Sequence, residues 1–183
     1  MLVTAIFIAV FFATMLVFAY NRLIRFKFLM LEAWSNIDVQ LKRRHDLVPK
    51  LLDVVRGYSH YERSLLEALT TLRVKLTGGA VPESKTALEN EFSQTLKSIF
   101  AVAESYPELK ANQNFLELQR AISEIEDQIQ FARRYYNGAV RNYNIAIDIF
   151  PSNLVATCFK FTHHEYFELE YATQREVPDI TFS

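Results

Sequence analysis

The first twenty residues carry no charged side chain. A helix rises about 1.5 Å per residue, so a stretch of this length covers the roughly 30 Å hydrocarbon core of a bilayer. The first charges are Arg22, Arg25 and Lys27, all basic, and no acid precedes Glu32. The positive-inside rule then predicts that the chain after residue 20 is cytoplasmic and the N-terminus lies outside. Tyr20 stands where an interfacial aromatic belongs. A cleaved signal peptide is the competing reading, with Val17-Phe18-Ala19 as its small-residue cleavage site. Such a leader carries its basic residues before the apolar stretch, and here they come after it, which favours a retained anchor. Ala5, Ala9 and Ala13 recur every four residues on one face, a spacing that lets transmembrane helices pack closely.

Beyond the anchor the chain has few breakers. Gly occurs four times and Pro five times among 183 residues. Sandwiches and barrels need many tight turns built from such residues, so their scarcity predicts a few long helices. The expected class is all-α: an N-terminal transmembrane helix over residues 1–20, then an antiparallel long-helix bundle of the four-helix type over 21–183. A docking tail closes it from about residue 151. The formal net charge of −1 lacks the basic surplus of a nucleic-acid binder. Cys158 is the single cysteine, so no disulfide can form within the chain.

Apolar residues then keep helical spacing. Trp34, Ile37, Leu41, Val48, Leu51, Val55, Tyr58, Leu65, Leu69, Leu72 and Leu76 define one face, a coiled-coil-like rhythm. Arg44 and Glu62 fall on that face, so either it is exposed there or the charges are paired inside the bundle. Pro49 lacks a backbone donor and predicts a kink or a new helix. Gly78-Gly79, with Pro82 behind, marks the clearest break. A second helix is expected over about 83–105, with Phe92, Leu96, Ile99, Val102 or Ala103, and Tyr106 inward, stopped by Pro107. A third carries the most regular stripe: Phe115, Leu118, Ile122, Ile125, Ile129, Ala132, Tyr136, Ala139, Tyr143, Ala146 and Phe150. Short connections at Gly78-Gly79 and Pro107 imply antiparallel neighbours. Past Pro151 the pattern suggests a short docking helix and an extended, strand-like end at Val177–Phe182.

The segment Glu32-Ala33-Trp34-Ser35-Asn36-Ile37-Asp38-Val39-Gln40-Leu41-Lys42-Arg43-Arg44-His45-Asp46-Leu47-Val48-Pro49 resembles the hallmark of the LemA family. Gly57-Tyr58 with Glu62, Ala101–Pro107, Leu109–Asn112 with Asn114-Phe115, Arg133–Asn137, Tyr143-Asn144, Phe150–Asn153 and Tyr166–Glu168 extend the resemblance along nearly the whole chain. It implies a bacterial single-pass inner-membrane protein with a cytoplasmic four-helix-type bundle and no settled biochemical activity. It also suggests two settings: LemA-like genes often neighbour membrane metalloproteases of the HtpX type, and related magnetosome proteins are associated with membrane invagination. One departure is Phe159-Lys160-Phe161, where the family more usually has a glycine followed by an aromatic.

Chemistry is sparse. The histidines are His45, His60, His163 and His164, and none completes a His-Glu-x-x-His or Glu-x-x-His motif. Adjacent His163 and His164 do not share a helix face. No phosphate loop or nucleophile elbow is present, and Cys158 reads as a small buried hydrophobe. No enzyme, metal or cofactor is therefore expected. Two polar constellations remain. Trp34, Asp38, Arg43, Arg44 and Asp46 form a candidate partner-docking patch, since Trp and Arg often dominate interfaces; a solvated face with local ion pairs is the plainer reading. Tyr136, Asn137, Tyr143 and Asn144 form a candidate polar network between helices, because buried tyrosine hydroxyls need partners. Together these features predict a membrane-tethered scaffold or adaptor, self-associating or holding a membrane-protein partner such as an HtpX-type metalloprotease. The alternative is a membrane-shaping protein whose basic collar, from Arg22 to Arg44, acts on lipid.

Overall fold

The computed structural model describes residues 1–57, 63–78 and 82–167. Among them every regular element is a helix: α1 Leu2–Arg56, α2 Arg63–Thr77, α3 Pro82–Ala103, α4 Pro107–Lys110, α5 Gln113–Asp148 and α6 Ser152–Cys158. The long-helix, all-α class is as expected. Tyr58, His60, Glu62, Gly79 and the strand-like end at 177–182 lie outside the described residues.

The uncharged N-terminal stretch does not end as a separate element. α1 continues through Tyr20 and through Pro49 to Arg56 as one helix, so Pro49 does not start a new one. A proline leaves the carbonyl four residues earlier without its helical donor. That carbonyl belongs to His45, and Arg73 Nε of α2 donates to it at 3.2 Å. The orphaned acceptor is thus satisfied from a neighbouring helix. Pro107, expected only as a stop, occupies the first turn of α4, a position that needs no donor. Asn112 caps α5, its Oδ1 accepting the Phe115 N–H at 3.1 Å.

The fold divides into two compact units. One contains Leu41–Asp127. Its core draws Val48, Leu51 and Val55 from α1, Leu66, Leu69, Leu72 and Leu76 from α2, Phe92, Leu96, Ile99 and Ala103 from α3, Leu109 from α4, and Phe115 and Ile122 from α5. On α2, Leu66 is buried in place of the expected Leu65, which is only half-buried.

The other unit joins Met1–Gln40 to Gln128–Phe167. It buries Leu23, Met30, Ala33 and Ile37 of α1, Ile129, Ala132, Tyr136, Val140, Tyr143, Ala146 and Ile147 of α5, and Val155 and Ala156 of α6. The α5 stripe drifts here: Val140 is fully buried while Ala139 is half-buried. A straight helix turns by roughly 20° per heptad against a strict seven-residue repeat, so the buried line must step across. Phe150, expected inward, lies past the helix end and is 73% exposed. Cys158, expected buried, is exposed at the end of α6. Leu2–Arg56 contains a window apolar enough to cross a membrane, and Ala5, Ala9 and Ala13 are exposed on it.

Candidate functional site

Among the described residues, each unit has a polar assembly that joins distant parts of the chain. In the Leu41–Asp127 unit it is built around Arg44, whose side chain is fully buried. Nη2 donates to Glu89 Oε2 of α3, which is also buried. Nη1 donates to Ser93 Oγ of α3 and to Glu126 Oε1 of α5, both at 2.5 Å. The Ser93 hydroxyl donates to Glu126 Oε1 at 3.1 Å. The guanidinium lies 4.8 Å from the centre of the Phe92 ring, adding a cation–π contact. His45 Nε2 pairs with the same Glu89 oxygen at 3.2 Å. Burial alone would raise the Glu89 pKa, but the His45 hydrogen bond and the Arg44 charge outweigh it and hold the carboxyl below its ordinary value. One buried cation thus ties α1 to α3 and α5. Because the guanidinium stands between the two carboxylates, the site is a fixed ion-pair network.

The second assembly lies in the unit containing residues 128–167. Past α6 the chain runs without regular structure over 161–167, and α5 holds it by the backbone. Asn144 Nδ2 donates to His164 O at 2.9 Å and its Oδ1 accepts His164 N–H at 3.0 Å. Asn137 Nδ2 donates to Phe167 O at 3.0 Å and its Oδ1 accepts Phe167 N–H at 2.7 Å. Tyr136 hydroxyl donates to Glu165 O at 3.3 Å. The spacing explains the fit. Seven helical residues rise about 10.5 Å, and three extended residues cover about 10 Å. Two asparagines seven apart therefore meet residues 167 and 164 of a chain running the opposite way. Phe167 anchors the end: it is buried, 6.0 Å from the Trp34 ring, with the Arg133 guanidinium 4.5 Å from its centre. Burial raises the pKa values of Tyr136 and Tyr143, with Glu165 adding to the shift at Tyr136.

The LemA family model matches residues 33–182. The chain belongs to the LemA family. Protein LemA of Metamycoplasma hominis is 31% identical over 137 residues, covering 74% of this chain and 63% of that protein's length. Magnetosome protein MamQ 2 of Paramagnetospirillum magneticum is 24% identical over 194 residues, covering 92% of this chain and 71% of the relative. Magnetosome protein MamQ of Magnetospirillum gryphiswaldense is 22% identical, covering 91% of this chain and 71% of the relative.

The LemA hallmark segment supplies Arg44 and His45 to one assembly and Trp34 to the other. Of the expected docking patch, Trp34 and Asp38 belong to one unit and Arg43, Arg44 and Asp46 to the other. Arg44 is enclosed by its acids and leaves both that patch and the basic collar. Trp34 is half-buried, its ring 5.3 Å from Tyr136. Asp38 is half-buried, whereas Arg43 and Asp46 are exposed. The Tyr–Asn set comes together, but it joins α5 to an extended segment instead of another helix. Glu89, Ser93 and Glu126 were not expected from the sequence. A signal for Glu89 was present: it stands three residues before Phe92, on the same apolar line as Leu96 and Ile99, where a buried cation's partner would have to sit.

Proposed function

We propose that this LemA-family protein is a membrane-tethered, non-enzymatic scaffold that holds a second membrane protein beside its juxtamembrane unit. One observation carries the reading: α5 has a second apolar line that the fold leaves uncovered. Phe131, Tyr135 and Ile145 are 63%, 51% and 48% exposed. With Gly138 and Asn142 they recur at alternating steps of four and three, the spacing of a helix-packing face. Beside this line is a groove of about 310 Å³ lined by Phe26, Leu29, Arg134, Tyr135, Gly138, Ala139 and Asn142. A Cβ added at Gly138 would meet nothing within 4 Å, so its floor is open to a partner's side chain. Phe26 and Leu29 lie six and nine residues past Tyr20, about 9–14 Å along a helix. A partner at that height sits close to the bilayer surface, which favours one that is itself held at the membrane. The HtpX-type metalloprotease suggested by the family resemblance is one candidate.

A photo-crosslinking residue at position 135, used in native membranes, tests this. A protein adduct of defined mass, distinct from a self-adduct, is expected. Gly138→Leu, which fills the groove, should abolish it, while Val74→Glu in the other unit should not. Adducts to lipid alone, or an adduct indifferent to Gly138→Leu, would defeat the scaffold reading. Arg43→Glu probes the remaining exposed part of the docking patch by the same readout. The alternative, a membrane-shaping protein, would use Arg22, Arg25 and Lys27 at the lipid surface; deformation of liposomes by the purified chain alone is its test.

A further inference from the structure

Burial on α1 begins before the charges do. Ala19, within the uncharged stretch, is 8% exposed, while Val17 and Phe18 are 58% and 71% exposed. Met15, one turn earlier, is half-buried. Protein therefore lies against one side of the last turns of the span. Tyr20 identifies it: its ring is 4.8 Å from Phe159 and 6.1 Å from Phe161. A span of about twenty residues puts Tyr20 at the edge of the hydrocarbon core, so the end of α6 stands at the level of the membrane exit.

The corner that arrives there turns its apolar side chains outward. Ser152, Val155 and Ala156 face the unit's interior, whereas Phe150, Leu154 and Phe159 are 73%, 59% and 60% exposed. No acid occurs between Asp148 and Glu165, and the one Lys or Arg there is Lys160. An apolar face with a basic neighbour and no acid is what an interfacial segment requires, its apolar side entering the boundary between headgroups and acyl chains. Arg22 and Arg25, just past Tyr20, add cations near the headgroups.

We propose that the α5–α6 corner is a second membrane contact. Phe150, Leu154 and Phe159 enter the leaflet at which the span exits, and Lys160 lies among the headgroup phosphates. The occupant is phospholipid, because Tyr20 packs the corner against the span, beside the exposed apolar surface of Val17 and Phe18 that lipid must cover. The protein is held to the bilayer at two points, by a span and by a shallow wedge beside it.

Cys158, the only cysteine and exposed on this corner, can carry an environment-sensitive fluorophore with no substitution. The full chain is reconstituted in vesicles of phosphatidylcholine and phosphatidylglycerol in equal parts. Strong quenching by a nitroxide placed shallowly on the acyl chains is expected. Quenching by aqueous iodide should be several-fold weaker than for the same dye on a Cys158→Ser/Val74→Cys control. Phe150→Glu/Leu154→Glu, which changes two exposed side chains, should restore iodide access with unchanged helix content. Iodide access equal to the control in the unaltered corner would overturn the proposal. So would protection that vanishes when the protein is diluted in lipid, which would mark a contact between copies, or protection that persists in the double glutamate variant. Alkaline extraction of the vesicles reports separately on the span, so failure of the anchor and failure of the wedge are told apart.

Discussion

The two units solve one problem, tying together parts of the chain far apart in sequence, with opposite chemistry. In the Leu41–Asp127 unit, Arg44 meets Glu89 and Glu126 across separations of 45 and 82 residues, side chain to side chain and charge to charge. In the unit containing residues 128–167, neutral amides of Asn137 and Asn144 grip a backbone 30 and 20 residues away. A buried ion pair demands complementary charge and leaves a desolvated ion if either side is removed. An amide clamp reads only an N–H and a C=O, so it is indifferent to the side chains of the segment it holds. The first assembly is therefore the more fragile under substitution and the more sensitive to acid.

The sharpest way to break the comparison is at Arg44. Arg44→Met should destabilise by about 3–5 kcal/mol, because Glu89 is then buried without its cation. Adding Glu89→Leu should recover much of that loss in thermal or denaturant unfolding. Failure of the second change to rescue would show that the arginine acts by its packing alone.

Acid gives the next effect. The folded Glu89 carboxyl lies below its ordinary value. Its contribution is therefore complete above that ordinary value and disappears as pH falls through the lowered folded one. Glu89→Gln should lower stability at neutral pH, and its deficit against the unaltered protein should shrink as unfolding is measured at successively lower pH. A deficit constant with pH would mean that shape, not charge, matters at residue 89.

Loss of one clamp should cost less. Asn144→Ala or Asn137→Ala each removes two neutral hydrogen bonds, about 1–3 kcal/mol at the usual net value per bond. Amide exchange should speed up at His164 in the first variant and at Phe167 in the second, with the Arg44 assembly unaffected. Exchange rising equally in both units would contradict their separation.

The smallest effect is a gain. Lys160 has a φ of 56°, and it closes α6 with the Phe161 N–H donated to Ala156 O at 2.9 Å. That left-handed position favours glycine, which is what the family resemblance places near this point. Lys160→Gly should stabilise by about 1 kcal/mol by relieving the left-handed strain, read as a rise in midpoint denaturation temperature.

Helix type and most core positions were legible because three apolar stripes repeat at helical spacing, but helix number was not: the anchor runs on into the first soluble helix, α2 is a separate element, and Pro107 opens α4. The ends were less so. Pro49 looks like a break in the chain itself, and only Arg73, from another helix, makes its cost tolerable. Arg44 on an apolar face left exposure and pairing equally open, and its acids unnamed, since Glu126 is one of several acids on α5 and nothing local marks it. The asparagines could be seen beside a buried line, but their partners are backbone atoms, which leave no signature in side-chain identity. Phe150 was misplaced because helical period says nothing once the helix has ended, and Cys158, the last residue of α6, because residue type alone does not fix which side of a short helix is covered.

The distance in sequence between Arg44 and its acids also sets an order of events during synthesis. Chains grow at about 5–20 residues per second, so Glu126 emerges roughly 4–16 seconds after Arg44. Through that interval Ile37, Leu41, Val48 and Leu51 have no complete α5 to cover them, and for most of it α3 is incomplete as well. A leucine at position 44 would join them into one unbroken sticky band. A charge in the middle of such a band guards it against aggregation. The residue that is costly to bury in the finished protein thus keeps its nascent form in water until the carboxylates arrive.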